Sequence, residues 1–294
     1  MQWECDLMRF TYISARGDIL PLSENNDFFL TNINGQTTAR GSISSSTIGG
    51  VDGDTVTNIQ AQPRTIILDL HINGNVEESK RRILNVVKLK QNGTLRWTQS
   101  GRTVDITGKV ESIDMPRWKR GTIMQITMHC EQPFWEDVEA VIAQINEAIN
   151  LHYFTDYQND MLYFPESGIP LGEFDTTRSK HFYNSGDIEV GLEFEIIALG
   201  TVTNPIVYAT DGKFFGVGYG SDKKLVMESG DRIVITTHRG KKSVTMNGVS
   251  IFDKIKPNST WLQLLAGDNQ FAINSDDDSL SNMTFNITYK QRYI

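Results

Sequence analysis

The chain has 294 residues and a formal net charge of −8, with 39% apolar, 10% aromatic and 22% charged residues. This balance excludes a disordered or fibrous chain, and the length suits two domains of about 130–150 residues. No apolar run approaches the ~18–20 residues that cross a bilayer, so no membrane span is expected.

The opening Met1–Asp6 carries two acids and no basic segment, so no secretory leader is expected. The two cysteines, Cys5 and Cys130, are too few for a disulfide framework and read as free thiols. Charge is uneven. Residues 1–135 hold 15 Lys and Arg against 14 Asp and Glu, whereas residues 136–294 hold 13 against 22. Two domains with different surfaces account for this, and the acidic second half lacks the basic face that nucleic acid requires.

In chain order, Ile13 to Leu22 carries a Gly17-Asp18 turn between two candidate strands, a hairpin signal. Thr31 to Gln62 is rich in Asn, Gly, Ser and Thr with isolated apolar residues, and cannot fill a core alone. It reads as a long excursion, an extended hairpin arm. Arg40, Ile43, Ile48 and Val51 are its candidate contact residues.

Arg64–Ile72 is a β-branched strand with Ile66, Leu68, Leu70 and Ile72 on one face. From Val76 to Lys90 the period changes. Ile83, Leu84, Val86 and Val87 form a stripe, with Glu77 and Glu78 early and Lys88 and Lys90 late, as suits a helix and its dipole. Strands follow at 94–99, 103–113 and 122–130. One helix on a mostly antiparallel sheet is an α+β arrangement. After Pro133-Phe134-Trp135, residues 136–151 read as a helix within a linker over 136–160, with Val138, Val141, Ile142, Ile145 and Ile149 on one side.

The second half, 161–294, reads as almost pure β. Strands are expected at 180–184, 190–199, 205–208, 214–217, 224–227, 232–237, 243–246, 261–265 and 283–289, with turns every 8–12 residues. That spacing predicts a β-sandwich.

Catalytic patterns are missing. There is no Gly-x-Ser-x-Gly elbow, Cys-x-x-Cys, His-Glu-x-x-His or EF-hand loop. Gly240-Lys241-Lys242-Ser243 mimics the end of a P-loop, but Ile235 stands where the first glycine is needed. Gly216-Val217-Gly218-Tyr219-Gly220 places glycines at period two, which reads as a close strand approach or a loop. His71 and His129 fall in expected strands and read as core or rim histidines. Asp276-Asp277-Asp278 reads as a solvated acidic turn, with a calcium site the competing reading. Exposed aromatics on a sandwich can serve as a sugar platform, and the candidates are Tyr183, Phe215 and Tyr219, with Phe214 and Trp261 also noted. No catalytic residue, metal ligand or cofactor site is expected.

The order of several motifs over nearly the whole chain resembles the siphophage distal tail protein family of phages and prophages of Gram-positive bacteria. The first-half motifs are the Arg64–Ile72 strand, Arg81-Arg82-Ile83-Leu84, Gly93-Thr94-Leu95 and Cys130-Glu131-Gln132-Pro133-Phe134-Trp135. The second half adds Tyr183-Asn184-Ser185-Gly186-Asp187, Gly200 with Asn204-Pro205, Asn247-Gly248, Trp261-Leu262-Gln263-Leu264 and Gly267-Asp268-Asn269. The resemblance implies a mainly β protein whose N-terminal α+β domain (1–135) assembles into a homo-hexameric ring under the tail tube protein. DNA would pass through the lumen without sequence recognition. A C-terminal galectin-like β-sandwich would dock tail-tip hub and receptor-binding proteins. The protein is thus expected at the virion tail tip as a structural part without cofactor. The alternative is a carbohydrate-binding module acting in adhesion to the host cell wall.

Overall fold

The structure, a computed structural model, describes residues 8–23, 27–37, 39–47, 49–50, 52–115, 122–145, 148–150, 172–174, 179–277 and 280–294. The chain divides into two compact units. One comprises residues 1–139 and 292–294, the other residues 140–291. The sequence reading placed a separate linker at 136–160; here the division falls at 139/140, and the last three residues return to the first unit.

The first unit contains β1 (Arg9–Ser14), β2 (Ile19–Pro21), β3 (Phe28–Asn34), β4 (Gly41–Ser46), β5 (Thr55–Ala61), β6 (Arg64–Ile72), α1 (Val76–Val86), β7 (Asn92–Gln99), β8 (Arg102–Asp114), β9 (Thr122–Cys130) and β10 (Trp135–Asp137). Its main sheet is antiparallel in the order β2-β1-β7-β8-β9-β6-β3. The expected Gly17-Asp18 hairpin is the β1–β2 pair.

Alternation fixes which side of the sheet is buried, because successive side chains of a strand point to opposite faces. Ile66, Leu68 and Leu70 on β6 face Met128, Ile126 and Met124 on β9 in register, and all six are buried. Phe10, Tyr12 and Leu95 extend the same core. Helix α1 adds Ile83, with Val87 just beyond its end, and Val76 packs at the margin. Asn75 caps α1 through its side chain, which accepts from the Glu78 N–H at 3.4 Å, and Lys88 Nζ donates to the Leu84 carbonyl at 2.6 Å. Both ends of the helix are therefore partly satisfied from its own sequence.

β10 closes on the end of the chain. It pairs with β8 and with the strand Arg292–Tyr293. Arg292 Nε donates to Glu136 at 2.6 Å and Tyr293 Oη to Asp137 at 2.9 Å, and Arg102 lies over the Tyr293 ring at 3.1 Å.

In the second unit the expected helix over 136–151 is replaced by strands. Val141–Ile145 pairs antiparallel with Met283–Tyr289, and Ala148–Asn150 pairs with Gly172–Phe174. The segment is rich in β-branched residues, which favour a pleated surface, and the backbone of 283–289 offers it a ladder. Ile142, placed on the helix stripe by sequence, is 73% exposed here, while Ala143 packs on the core.

Two sheets face each other across one core. The larger runs 141–145, 283–289, 193–198, 232–236, 243–246 and 249–250; the smaller runs 179–184, 267–274, 206–209 and 214–216. Phe194 and Phe285 from the larger sheet meet Phe271 from the smaller, with ring centroids 5.7 Å apart for Phe194–Phe271 and 5.5 Å for Phe194–Phe285. This is the expected β-sandwich. The strand 267–274, at the middle of the smaller sheet, is absent from the sequence reading.

Candidate functional site

The feature of the first unit that its own core does not explain is the β4–β5 hairpin, the arm expected between Thr31 and Gln62. Residues 41–46 pair antiparallel with 55–61, and the Gln62 N–H donates to the Arg40 carbonyl at 2.8 Å. Ile43 lies directly opposite Ile59. Ile43 is 65%, Ile59 69% and Val56 50% exposed, and Arg40 is exposed. A two-stranded ribbon is marginal alone, and among the described residues of its own unit nothing covers Ile43, Val56 and Ile59. Ile48 and Val51 lie outside the described residues.

The root of the arm is held firmly. The Gln36 carbonyl accepts two buried donors, Arg64 Nη1 at 2.7 Å and Trp135 Nε1 at 2.9 Å. Arg64 is 3% exposed, and its Nε and Nη2 are buried without a hydrogen-bond partner among the described residues. Gly35 sits at φ +85°, where a Cβ would lie 2.1 Å from the Thr65 carbonyl oxygen. The chain entering the arm and the strand leaving it are thus pinned together. Arg64 and Gly35 escaped the sequence reading, because a strand-initial arginine and one glycine in an Asn-Gly-Gln run carry no distinctive pattern.

The proposed aromatic platform does not assemble. Phe215 is buried in the sandwich core, with its ring 4.9 Å from Trp261, so it cannot stack a sugar. Tyr183 is 66% exposed on the strand 179–184, and Tyr219 is half-buried beyond the strand 214–216. Strict alternation explains the error: on 214–216 the inward position falls to Phe215.

The remaining motifs resolve into structural roles. A Cβ on Gly218 would meet Asn204 Oδ1 at 2.0 Å, and that same oxygen accepts the Leu225 N–H at 2.8 Å, so the glycine run marks a close approach. Asp276 accepts from Asn204 Nδ2 at 2.7 Å and Asp277 from the Thr203 N–H at 3.0 Å, so both tie down a turn; Asp278 lies outside the described residues. His71 pairs with Ile123 and His129 with Thr65, at opposite ends of the β6–β9 ladder. Cys130 is buried, and desolvation pushes its thiol up to about 11, against the lowering effect of nearby Arg64; Cys5 lies outside the described residues. Among the described residues no three His, Cys, Asp or Glu side chains gather as a metal site would require.

Residues 185–293 match the family model for the siphovirus-type tail component, C-terminal domain. No curated protein matches the sequence. Among solved structures, the chain is similar to the Dit (gp 19.1) protein of phage SPP1, described as a paradigm of hub adsorption apparatus in Gram-positive infecting phages. Identity is 16% and the TM-score 0.66, covering 97% of this chain and 99% of that one. A chain of the phage p2 baseplate in its activated conformation with Sr aligns at 11% identity and a TM-score of 0.48, covering 97% and 98%.

Proposed function

We propose, for a chain whose residues 185–293 belong to the siphovirus-type tail component family and whose fold is that of a siphophage distal tail protein, that it is a structural component of the phage tail tip. In this reading the first unit forms a homo-hexameric ring below the tail tube protein. The lumen passes DNA without reading its sequence, and the second unit engages the tail-tip hub and receptor-binding proteins. No chemistry is assigned to it.

The single observation that carries the ring is the arm. A projecting ribbon with Ile43, Ile59 and Val56 exposed, anchored through buried donors at its root, has the form of an element that reaches a neighbouring copy. A cyclic ring joins two different patches at every interface, so an arm on one copy and its receiving surface on the next need not resemble each other. Apolar residues at such an interface also avoid the repulsion that a strongly charged ring subunit would meet.

The experiment is light scattering and negative-stain microscopy of the purified chain. The expected result is rings with a mass near six times 33.2 kDa. A protein that stays monomeric at micromolar concentration, with or without tail partners, would remove the ring from the proposal.

A further inference from the structure

The chain carries the dipeptide Asn-Gly four times, at Asn34-Gly35, Asn73-Gly74, Asn92-Gly93 and Asn247-Gly248. In this pair the asparagine side chain is open to attack by the next backbone nitrogen, because glycine has no Cβ to obstruct the approach. Attack requires that nitrogen to swing onto the asparagine Cγ. One chemistry therefore sits in four different folded surroundings, and local opening decides which copy reacts.

Three of the four are held. Asn34 ends β3 opposite Ile67, and Gly35 is wedged against the Thr65 carbonyl. Asn92 and Gly93 open β7. Asn92 pairs with Lys109, and Gly93 lies between Gly108 and Ser14 on the neighbouring strands, with Tyr12 Oη 2.1 Å from where its Cβ would be. Asn247 sits in the turn between 243–246 and 249–250 with its side chain clamped. Its Oδ1 accepts the Arg232 N–H at 2.9 Å, and its Nδ2 donates to Asp231 at 2.8 Å.

Asn73-Gly74 has no such restraint. It lies between the end of β6 at Ile72 and the start of α1 at Val76, and both residues are exposed. The Asn73 N–H donates to the Asp27 carbonyl at 2.8 Å, but the Asn73 side-chain amide and the Gly74 N–H make no hydrogen bond among the described residues. Gly74 is at φ +74°, with nothing within 4 Å of where a Cβ would be. Neither a strand ladder nor a side-chain clamp has to open before the Gly74 nitrogen reaches Cγ.

We propose that Asn73 is a site of spontaneous covalent modification, deamidation through a cyclic imide formed with the Gly74 nitrogen. That nitrogen bonds to Asn73 Cγ, the Cγ–Nδ2 bond breaks, and the side-chain NH2 leaves as ammonia with the proton from Gly74. Water then opens the imide at either carbonyl, which leaves aspartate or isoaspartate. No oxidant, cofactor or second protein enters the reaction. Either product places a new negative charge shortly before the α1 cap Asn75, and isoaspartate lengthens the backbone by one carbon between β6 and α1.

The test ages the full chain in mildly alkaline buffer and follows each Asn-Gly peptide by mass spectrometry, with isoaspartyl methylation as a second readout. Asn73 should convert at least about tenfold faster than each of the other three, since those must first lose hydrogen bonds or strand pairing. In denaturant the four rates should draw together. Asp231→Ala, which removes one clamp, should speed conversion at Asn247 and leave Asn73 unchanged. Asn73→Gln should remove the fast component and leave the three slow ones. The proposal is overturned if another pair converts as fast as Asn73 in the folded chain, or if Asn73 stays intact there while it converts in denaturant. It is equally overturned if the same order of rates persists in denaturant, which would assign the difference to neighbouring sequence and not to the fold.

Discussion

Gly35 and Gly17 both sit at positive φ, +85° and +90°, but only Gly35 has a backbone oxygen where its Cβ would go. Gly17→Ala should cost about 1–2 kcal/mol, the strain of a left-handed non-glycine residue. Gly35→Ala adds a clash with Thr65, so the prediction is a clearly larger loss, measured by urea titration of the two variants side by side. If both lose the same stability, the arm root is looser than the geometry implies. Cys130 offers a second test at this scale. The thiol ionises near 9.0 when exposed and at about 11 in the fold, so its neutral form is the one the fold favours. That contribution is intact below pH 9 and is lost as pH rises toward about 11, at about 1.4 kcal/mol per pH unit. Tyr12, also raised by burial, acts in the same direction at higher pH. The part due to the thiol is therefore the difference in alkaline slope between the wild type and Cys130→Ala. In a Cys5→Ser background, Cys130 should also resist a thiol reagent at pH 8 until the protein is unfolded.

At the scale of elements, the arm separates stability from assembly. Ile43 and Ile59 are mostly exposed, so Ile43→Ser with Ile59→Ser should change the unfolding free energy by no more than about 0.5 kcal/mol per site. The same pair should shift the mass distribution from rings toward smaller species, read by light scattering. The arm was legible in sequence because polar, glycine-rich stretches with isolated apolar residues cannot make a core. β6 and α1 were legible for the opposite reason, since each keeps one period over its whole length. Strands 267–274 and 141–145 of the second unit were not. Strand 267–274 places a buried Asn269 where an apolar residue would complete the alternation, leaving Phe271 and Ile273 as its apolar inward pair. That asparagine is satisfied by Leu265 and Gly267, contacts that only the folded loop creates. Residues 141–145 fit a helical stripe and a strand about equally well, and pairing with 283–289 decided between them.

At the scale of the whole molecule, the chain leaves the first unit at 139/140 and rejoins it at 292. Removing residues 292–294 should therefore destabilise the first unit, through loss of Arg292–Glu136 and Tyr293–Asp137, and leave the second unit's melting unchanged in calorimetry. A ring-only variant is better made by replacing 140–291 with a short linker than by cutting the chain after the first unit, and the linker version should retain ring assembly. The sequence by itself determined the mainly β character and the helix, because each follows from local period, composition or turn chemistry. Only the tertiary structure decided that 141–145 is a strand, that Phe215 is core, that Arg64 and Trp135 share one carbonyl, and that the last residues complete the first unit. Those outcomes depend on partners distant in sequence, and no local pattern records which strand will supply the missing ladder or cover the exposed face.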